Sequence, residues 1–375
     1  MLYSNLRNRS RHRRVPKKST KRLYLIPILS KALDILEYLQ SEKSPVTLEA
    51  VYRQTRFSKT SVYRILQTLV HRGYVARGGD GRYRLVTLPV KMRFGFGGQS
   101  SELPFSEAVT SSLRAAAAAA GVDLLVLDNK YDAATAIANA NEFVRSRVDL
   151  VIEFQVEQQV APVIADRIAG ASIPLIAVDI PHPHATFFGV DNFRVGFEAG
   201  ELLAQHALEN WAGDVDWVLG LDLEEAGPLV QSRITGAFEG VRSKLELLPE
   251  CFVRVDGRGL RDKSHRITLD FLKRHTKEKH ILLAAATDTS ALGALDAVRE
   301  LRREKHVAIV GQDCVPEVLQ EMGSRQSAII GSVSHEVSDY GPRLIEIGLS
   351  LLRGRNVPPY NYVNHKLVAR RSLQP

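Results

Sequence analysis

Cysteine is nearly absent from this 375-residue chain, with only Cys251 and Cys314. Two thiols at no metal-like spacing exclude a disulfide framework and a thiolate metal cluster, and they fit a reducing compartment. Both fall in apolar, strand-like contexts, so both are expected to be buried. Long apolar runs are missing as well. The best candidate near the amino end, Leu23 to Leu29, is short and is broken by Pro27. A membrane span is therefore not expected, and no signal-peptide cleavage site follows. Acidic residues are absent from 1–22, where Arg7, Arg9, Arg11, Arg13, Arg14, Lys17, Lys18, Lys21 and Arg22 lie. Such a segment repels itself and buries little, so it reads as a disordered arm suited to tracking phosphates. We expect a cytoplasmic protein with no membrane partner.

The apolar share is 45%, ordinary for a globular protein, and the length asks for two or three domains. The net charge of +8 conceals an asymmetry. Residues 1–91 hold 20 Lys and Arg against 5 Asp and Glu, a net of +15, and the rest holds 30 against 37, a net of −7. A basic module on a mildly acidic body points to a polyanionic partner for the amino end.

Helical spacing recurs three times between 28 and 71. Leu29, Ala32, Leu33, Leu36 and Leu39 mark a first helix, Ile28–Leu39, with Ser30 as its expected cap. Thr47 caps a second, Leu48–Gln54. Ser58 caps a third, Lys59–His71, whose inward stripe is Val62, Ile65, Leu66 and Leu69. Strands Tyr74–Arg77 and Arg82–Leu85 then flank Gly78-Gly79-Asp80-Gly81, a hairpin signal. Three helices and a hairpin make a winged helix-turn-helix over 23–88. A helix lying in a major groove needs short polar residues and cations in its first turns. Lys59, Thr60, Ser61 and Arg64 fit that need, with Arg82 and Arg84 of the wing placed for backbone contacts. The stretch "SKALDILEYL…SKTSVYRILQTLVHRGYVARGGDGRYRL" resembles the DNA-binding domain of IclR-type regulators, over about sixty residues.

Beyond a short linker, Thr87–Lys91, strand-like and helical runs alternate to the carboxyl end. Alternation of this kind argues for an α/β fold with parallel sheets covered on both faces. Nine strands are read: Arg93–Gly97, Leu124–Asp128, Leu150–Phe154, Ile173–Asp179, Trp217–Leu221, Phe252–Val255, Ile281–Ala285, Val307–Gln312 and Ile329–Val333. Helices read between them include Phe105–Ala120, Val195–Glu209, Leu229–Leu245, Asp288–Arg303 and Glu336–Leu352. The alanine run Ala115–Ala120 is helix, stopped by Gly121.

The motifs "DLVIEF", "IPLIAVDIP", "FGVDNFRVGFEAGELL", "SRITGAFEG", "LAAATDTSALGALDAV", "VAIVGQDCVPEVL" and "GSVSHEVSDYG" resemble, in order, type I periplasmic binding proteins and the effector domain of LacI-family regulators. The resemblance implies a domain over 89–375 with two lobes. Lobe one would take 92–191 and 336–364, and lobe two 192–335 and 365–375. It also implies a ligand cleft between the lobes at the carboxyl ends of strands. Carried over residue by residue, the cleft would use Phe105, Asp179, Arg233, Thr287, Asp288, Gln312, Asp313 and His335. Carboxylates, a guanidinium and an aromatic ring suit a sugar or polyol, through charge-assisted bonds to hydroxyls. Thr287, Gln312 and His335 depart from the residues common in sugar-binding relatives, which also admits an acidic or phosphorylated ligand.

Gly95-Phe96-Gly97-Gly98 lacks the spacing of a dinucleotide fingerprint, and His182 and His184 have no partner at metal-ligand spacing. No P-loop or nucleophile elbow is present, so no cofactor and no metal are expected. The reading is a ligand-responsive transcription regulator, by analogy a repressor, with an operator in double-stranded DNA, a small-molecule effector and a homodimeric state as partners. A solute-binding receptor for transport or chemotaxis is the alternative, and an enzyme on a doubly wound fold the third.

Overall fold

The computed structural model describes residues 26–86, 92–324 and 326–373. The basic arm and the linker expected at 87–91 lie outside them. Two compact units divide between Val90 and Lys91.

The first unit holds α1 (Pro27–Ser41), α2 (Leu48–Thr55) and α3 (Lys59–His71), then β1 (Val75–Arg77) and β2 (Tyr83–Leu85). Ser30 does not cap α1. The helix starts a turn earlier, with Pro27 at its first position, where the missing N–H costs nothing and φ is already helical. Thr47 and Ser58 do cap their helices, accepting from the backbone N–H of Ala50 at 3.2 Å and of Ser61 at 3.3 Å. Ile35, Val51, Val62, Leu66 and Val75 close a small core, and Tyr83 of the hairpin is buried in it. Val46 and Tyr83 exchange both backbone hydrogen bonds, at 2.8 and 2.7 Å, which ties the wing to the loop before α2.

In the second unit the chain runs through β3 (Arg93–Gly98), α4 (Pro104–Ala120), β4 (Asp123–Asp128), α5 (Ala133–Arg145), β5 (Leu150–Glu153), α6 (Ala161–Gly170), β6 (Leu175–Val178) and β7 (Thr186–Gly189). It continues through α7 (Asn192–Trp211), β8 (Trp217–Asp222), α8 (Pro228–Arg242), β9 (Phe252–Asp256), α9 (Arg261–Arg274), β10 (Ile281–Ala285) and α10 (Asp288–Glu300). The last stretch is β11 (Val307–Gln312), α11 (Pro316–Gly323), β12 (Ile329–Ser334), α12 (Tyr340–Leu352), β13 (Tyr360–Tyr362) and β14 (Lys366–Ala369). Two six-stranded sheets result, in the orders β13-β7-β6-β5-β3-β4 and β14-β12-β11-β10-β8-β9. Every pairing is parallel except β12 with β14. The central strands read as unbroken apolar runs because both faces are covered, as in "LIAV" and "ILLAA". The chain passes between the sheets three times: from β7 to α7, from β12 to α12, and from β13 to β14. The helix read as starting at Glu336 instead begins at Tyr340, after a single tight turn over Val337–Asp339. The cysteines are corrected too. Cys251 ends a tight turn and Cys314 lies in a loop, both partly exposed.

Helices α7 and α8 cross with almost no side chain between them. A Cβ on Gly196 would lie 1.9 Å from the carbonyl oxygen of Arg233, and one on Gly200 would lie 2.0 Å from that of Ala237. Gly236 and Gly240 are equally close to the backbone of α7, at 2.1 and 2.2 Å. Only glycine permits that approach.

Candidate functional site

The carboxyl ends of strands from both sheets face each other across a cavity of about 630 Å³, its mouth included. Phe105, Asp179, Arg233, Thr287, Asp313 and His335 line it, six of the eight residues named from the sequence.

Asp179 follows β6 with a left-handed φ of 60°, and its N–H donates to the carbonyl of Phe188 at 2.9 Å. Its Oδ1 is buried without a partner. The nearby Gly189 leaves room for it, since a Cβ there would lie 2.6 Å from that oxygen. Burial pushes the Asp179 carboxyl up to about 6, against the pull of Arg233 and a backbone bond from Val190. Asp313 follows β11 with φ of 110°, and its N–H donates to the carbonyl of Val333 at 2.8 Å. Burial and the charge of Asp288 raise its carboxyl, while Arg233 lowers it. Two non-glycine residues in sparsely populated backbone regions at one cavity are a feature of ligand clamps.

Arg233 reaches the cavity from α8. Its Nε and Nη2 donate to Asn192 Oδ1 at 3.0 and 2.7 Å, and its Nη1 to the carbonyl of Ala286 at 2.5 Å. Those acceptors are neutral, so the guanidinium charge acts on Asp179 and Asp313 without an ion pair to either. His335 Nδ1 lies 3.4 Å from Asp313 Oδ1. Burial and the charge of Arg233 hold the imidazole well below its usual range, so it is neutral at pH 7. Phe105 stands edge-on to Phe154, His335 and Tyr340, with centroids 6.3, 5.7 and 5.8 Å away. Thr287 caps α10, accepting from Ser290 N–H at 3.1 Å, and still borders the cavity.

Asp288 and Gln312 sit behind the wall instead of on it. Asp288 is fully buried, accepting from Val315 N–H at 2.8 Å and the Ser332 hydroxyl at 2.7 Å. It shapes the loop that carries Asp313. Gln312 Nε2 donates to the carbonyl of Val195 at 3.4 Å, and its Oε1 lies 3.2 Å from His335 Nε2. It therefore orients the imidazole and does not line the cavity. Side chains that the sequence reading passed over complete the cavity, among them Gln99, Tyr131, Phe154, Gln155 and Thr289. Tyr131, from the first sheet, donates its hydroxyl to the carbonyl of Arg258, from the second, at 2.7 Å. Position just after a strand's carboxyl end was the signal available for Phe154, Gln155 and Tyr131.

In the first unit, Lys59, Thr60 and Arg64 of α3 and Arg82 and Arg84 of the wing are exposed, and Ser61 is half-buried. Lys59 pairs with Glu49 at 2.7 Å on the surface, an interaction worth little and easily exchanged. Tyr63, exposed beside them on α3, was not anticipated.

Two family models match the sequence: a periplasmic binding protein domain over residues 94–356 and an IclR helix-turn-helix domain over 28–79. The chain belongs to the periplasmic binding protein domain family. An IclR helix-turn-helix precedes that domain, so the α/β architecture is that of a type I periplasmic binding protein joined to a helix-turn-helix module. Solved structures share the fold. One is an ABC transporter periplasmic solute-binding protein from Actinobacillus succinogenes with bound D-allose (17% identity, TM-score 0.66, 76% of this chain and 99% of that one). Another is a solute-binding protein from Bacillus halodurans with bound myo-inositol (18%, 0.64, 76% and 96%). A third is a Mycobacterium smegmatis protein in complex with β-D-fucofuranose (22%, 0.66, 75% and 92%). No curated protein matches the chain by sequence.

Proposed function

We propose that this periplasmic-binding-protein-family chain is a DNA-binding transcription regulator, a repressor, whose effector is a neutral sugar or polyol held between the lobes. One observation carries the choice of ligand. A buried, unpartnered Asp179 oxygen faces the same cavity as Asp313 and Arg233, beside the Phe105 and Phe154 rings. Carboxylates accept from vicinal hydroxyls, the spare guanidinium N–H groups donate to them, and ring faces cover the apolar side of a sugar. Two carboxylates against one cation disfavour a phosphorylated or acidic compound, because a third negative charge would be buried with no counter-charge. The neighbours' D-allose, myo-inositol and fucofuranose agree in chemistry with that reading.

The DNA side rests on the exposed cations of α3 and the wing and on the IclR match. Paired half-sites call for a homodimer. Effector binding alters DNA affinity only by its differential affinity for the two states of the cleft. A two-step experiment tests this. Duplexes are selected from a random library on the full chain, and D-allose, myo-inositol and allitol are then screened for a rise in melting temperature. The reading requires one neutral polyhydroxylated compound that both stabilises the protein and shifts anisotropy-measured DNA affinity. Stabilisation by none of these compounds, or selection of no sequence, overturns it.

A further inference from the structure

The amino ends of the second sheet's strands open onto another concavity, on the side away from the cleft. His280 precedes β10, His306 precedes β11 and Ser327 precedes β12, and with Trp211 at the end of α7 they border a groove of about 1540 Å³, its mouth included. Strands of six residues at about 3.3 Å each place it about 20 Å from the effector cavity. Trp211 stacks on His280 with centroids 4.7 Å apart and planes 11° apart, and His206 stands edge-on to Trp211 at 5.0 Å.

Arg370 lines the inner wall. Its Nη2 donates to the carbonyls of Ser327 and Ile329, and its Nε is buried with no partner. Among the described residues no carboxylate lies within ion-pair distance of it. Arg302 and Lys305 project from the turn before β11 as exposed cations on the rim. Acids are present but mostly engaged. Asp214 sits 3.2 Å from His280 Nδ1, Glu209 lies 3.7 Å from Arg371 in the adjoining recess, and Glu304 alone remains on the lining. A half-buried guanidinium held only by carbonyl oxygens lacks a counter-charge, and burial lowers its basicity.

We infer that this groove is a second small-molecule site, for a compound bearing a phosphate group. Arg370 Nη1 has no hydrogen-bond partner among the described residues and is not closed off from solvent, so phosphate oxygens can accept from it and from Arg302 and Lys305, which a monoatomic anion cannot do together. The Trp211 ring offers an apolar face beside them. The inference does not rest on the identity of the cleft ligand.

Trp211 supplies the readout. The chain has two tryptophans, so a full-length Trp217→Phe variant reports Trp211 alone. Pyrophosphate is titrated against it, with potassium chloride at matched ionic strength as the control. We expect a saturable change in emission and a rise in melting temperature with pyrophosphate only. Adding Arg302→Gln and Lys305→Gln, both surface changes, should weaken the apparent Kd by about tenfold through loss of two charge-assisted contacts. Arg370→Lys should weaken it as well. A pyrophosphate response no larger than that of chloride overturns the site. So does a response that the Arg302→Gln/Lys305→Gln pair leaves unchanged.

Discussion

Replacing Asp179 by asparagine should stabilise the unliganded protein at neutral pH while weakening its effector. Burial pushes the Asp179 carboxyl from 3.8 to about 6. A shift of about two units corresponds to about 3 kcal/mol, at 1.36 kcal/mol per unit. The sign follows from linkage. An acid harder to ionise when folded makes the native state bind its proton more tightly, so this stabilising contribution is present below the unfolded value of 3.8 and disappears as pH rises through about 6. At pH 7.5 the wild type therefore carries the whole cost of a buried charge, and asparagine, which tolerates the left-handed backbone there, does not. The new amide N–H groups lose water without a certain acceptor, costing about 1–2 kcal/mol. The net gain is about 1–2 kcal/mol at pH 7.5. For a unit of this size it raises the melting temperature by roughly 2–4 °C or a little more. Calorimetry at pH 7.5 and pH 4.5 measures it, and most of the gain should be gone at the lower pH. Effector affinity should fall by roughly 10- to 100-fold, the loss of one charge-assisted bond. A variant less stable at pH 7.5, or a stability shift equal at both pH values, refutes the account of a carboxylate kept for binding at the expense of folding.

Three other outcomes are expected. Arg64→Ala should cost about 1–3 kcal/mol in binding to the selected duplex with little change in melting temperature, as read by anisotropy, because the side chain is exposed. Gly200→Ala should destabilise by about 1–3 kcal/mol or more in urea unfolding, since its Cβ would lie 2.0 Å from a backbone oxygen that cannot move alone. Asp288→Ala should cost about 3 kcal/mol of stability at pH 5 by orphaning the Val315 N–H and the Ser332 hydroxyl, and less above pH 7, because burial raises the Asp288 carboxyl to about 7 and its removal there also relieves a buried charge. A full-strength melting temperature in that variant would place Asp288 outside the role assigned to it.

Much of the fold was legible because both periodicities are strong. Thr47 and Ser58 mark their helices by cap chemistry, and "ILLAA" and "VAIVGQ" announce strands buried on both faces. Short edge strands were not legible. Tyr360–Tyr362 and Lys366–Ala369 earn their pairing only from the distant β7 and β12, which no local pattern encodes. Helix α9 was also passed over, because its "RDKSHRITLDFLKR" is polar over most of its surface and buries only Ser264, Thr268, Phe271 and Leu272. At the cavity, Asp179 and Asp313 could be found because an acid directly after a buried strand has few other uses. Asp288, three residues past β10, and Gln312, the last residue of β11, also sit near strand ends, yet turn to partners behind the wall. Which way a side chain turns at a strand end depends on the neighbouring loop, and that lies outside any local window.

The near-contact of α7 and α8 limits how this binding domain can change its preference. Arg233 rides on α8, and Asn192, which holds its guanidinium, is the first residue of α7. With backbone against backbone at four glycines, the pair has no side chains there that could be resized, and any bulge would swing the arginine off its anchor. A lineage drifting toward a different effector must therefore leave this clasp alone and vary the loops at the strand tips, where the half-buried Gln99 and Thr289 border the cavity.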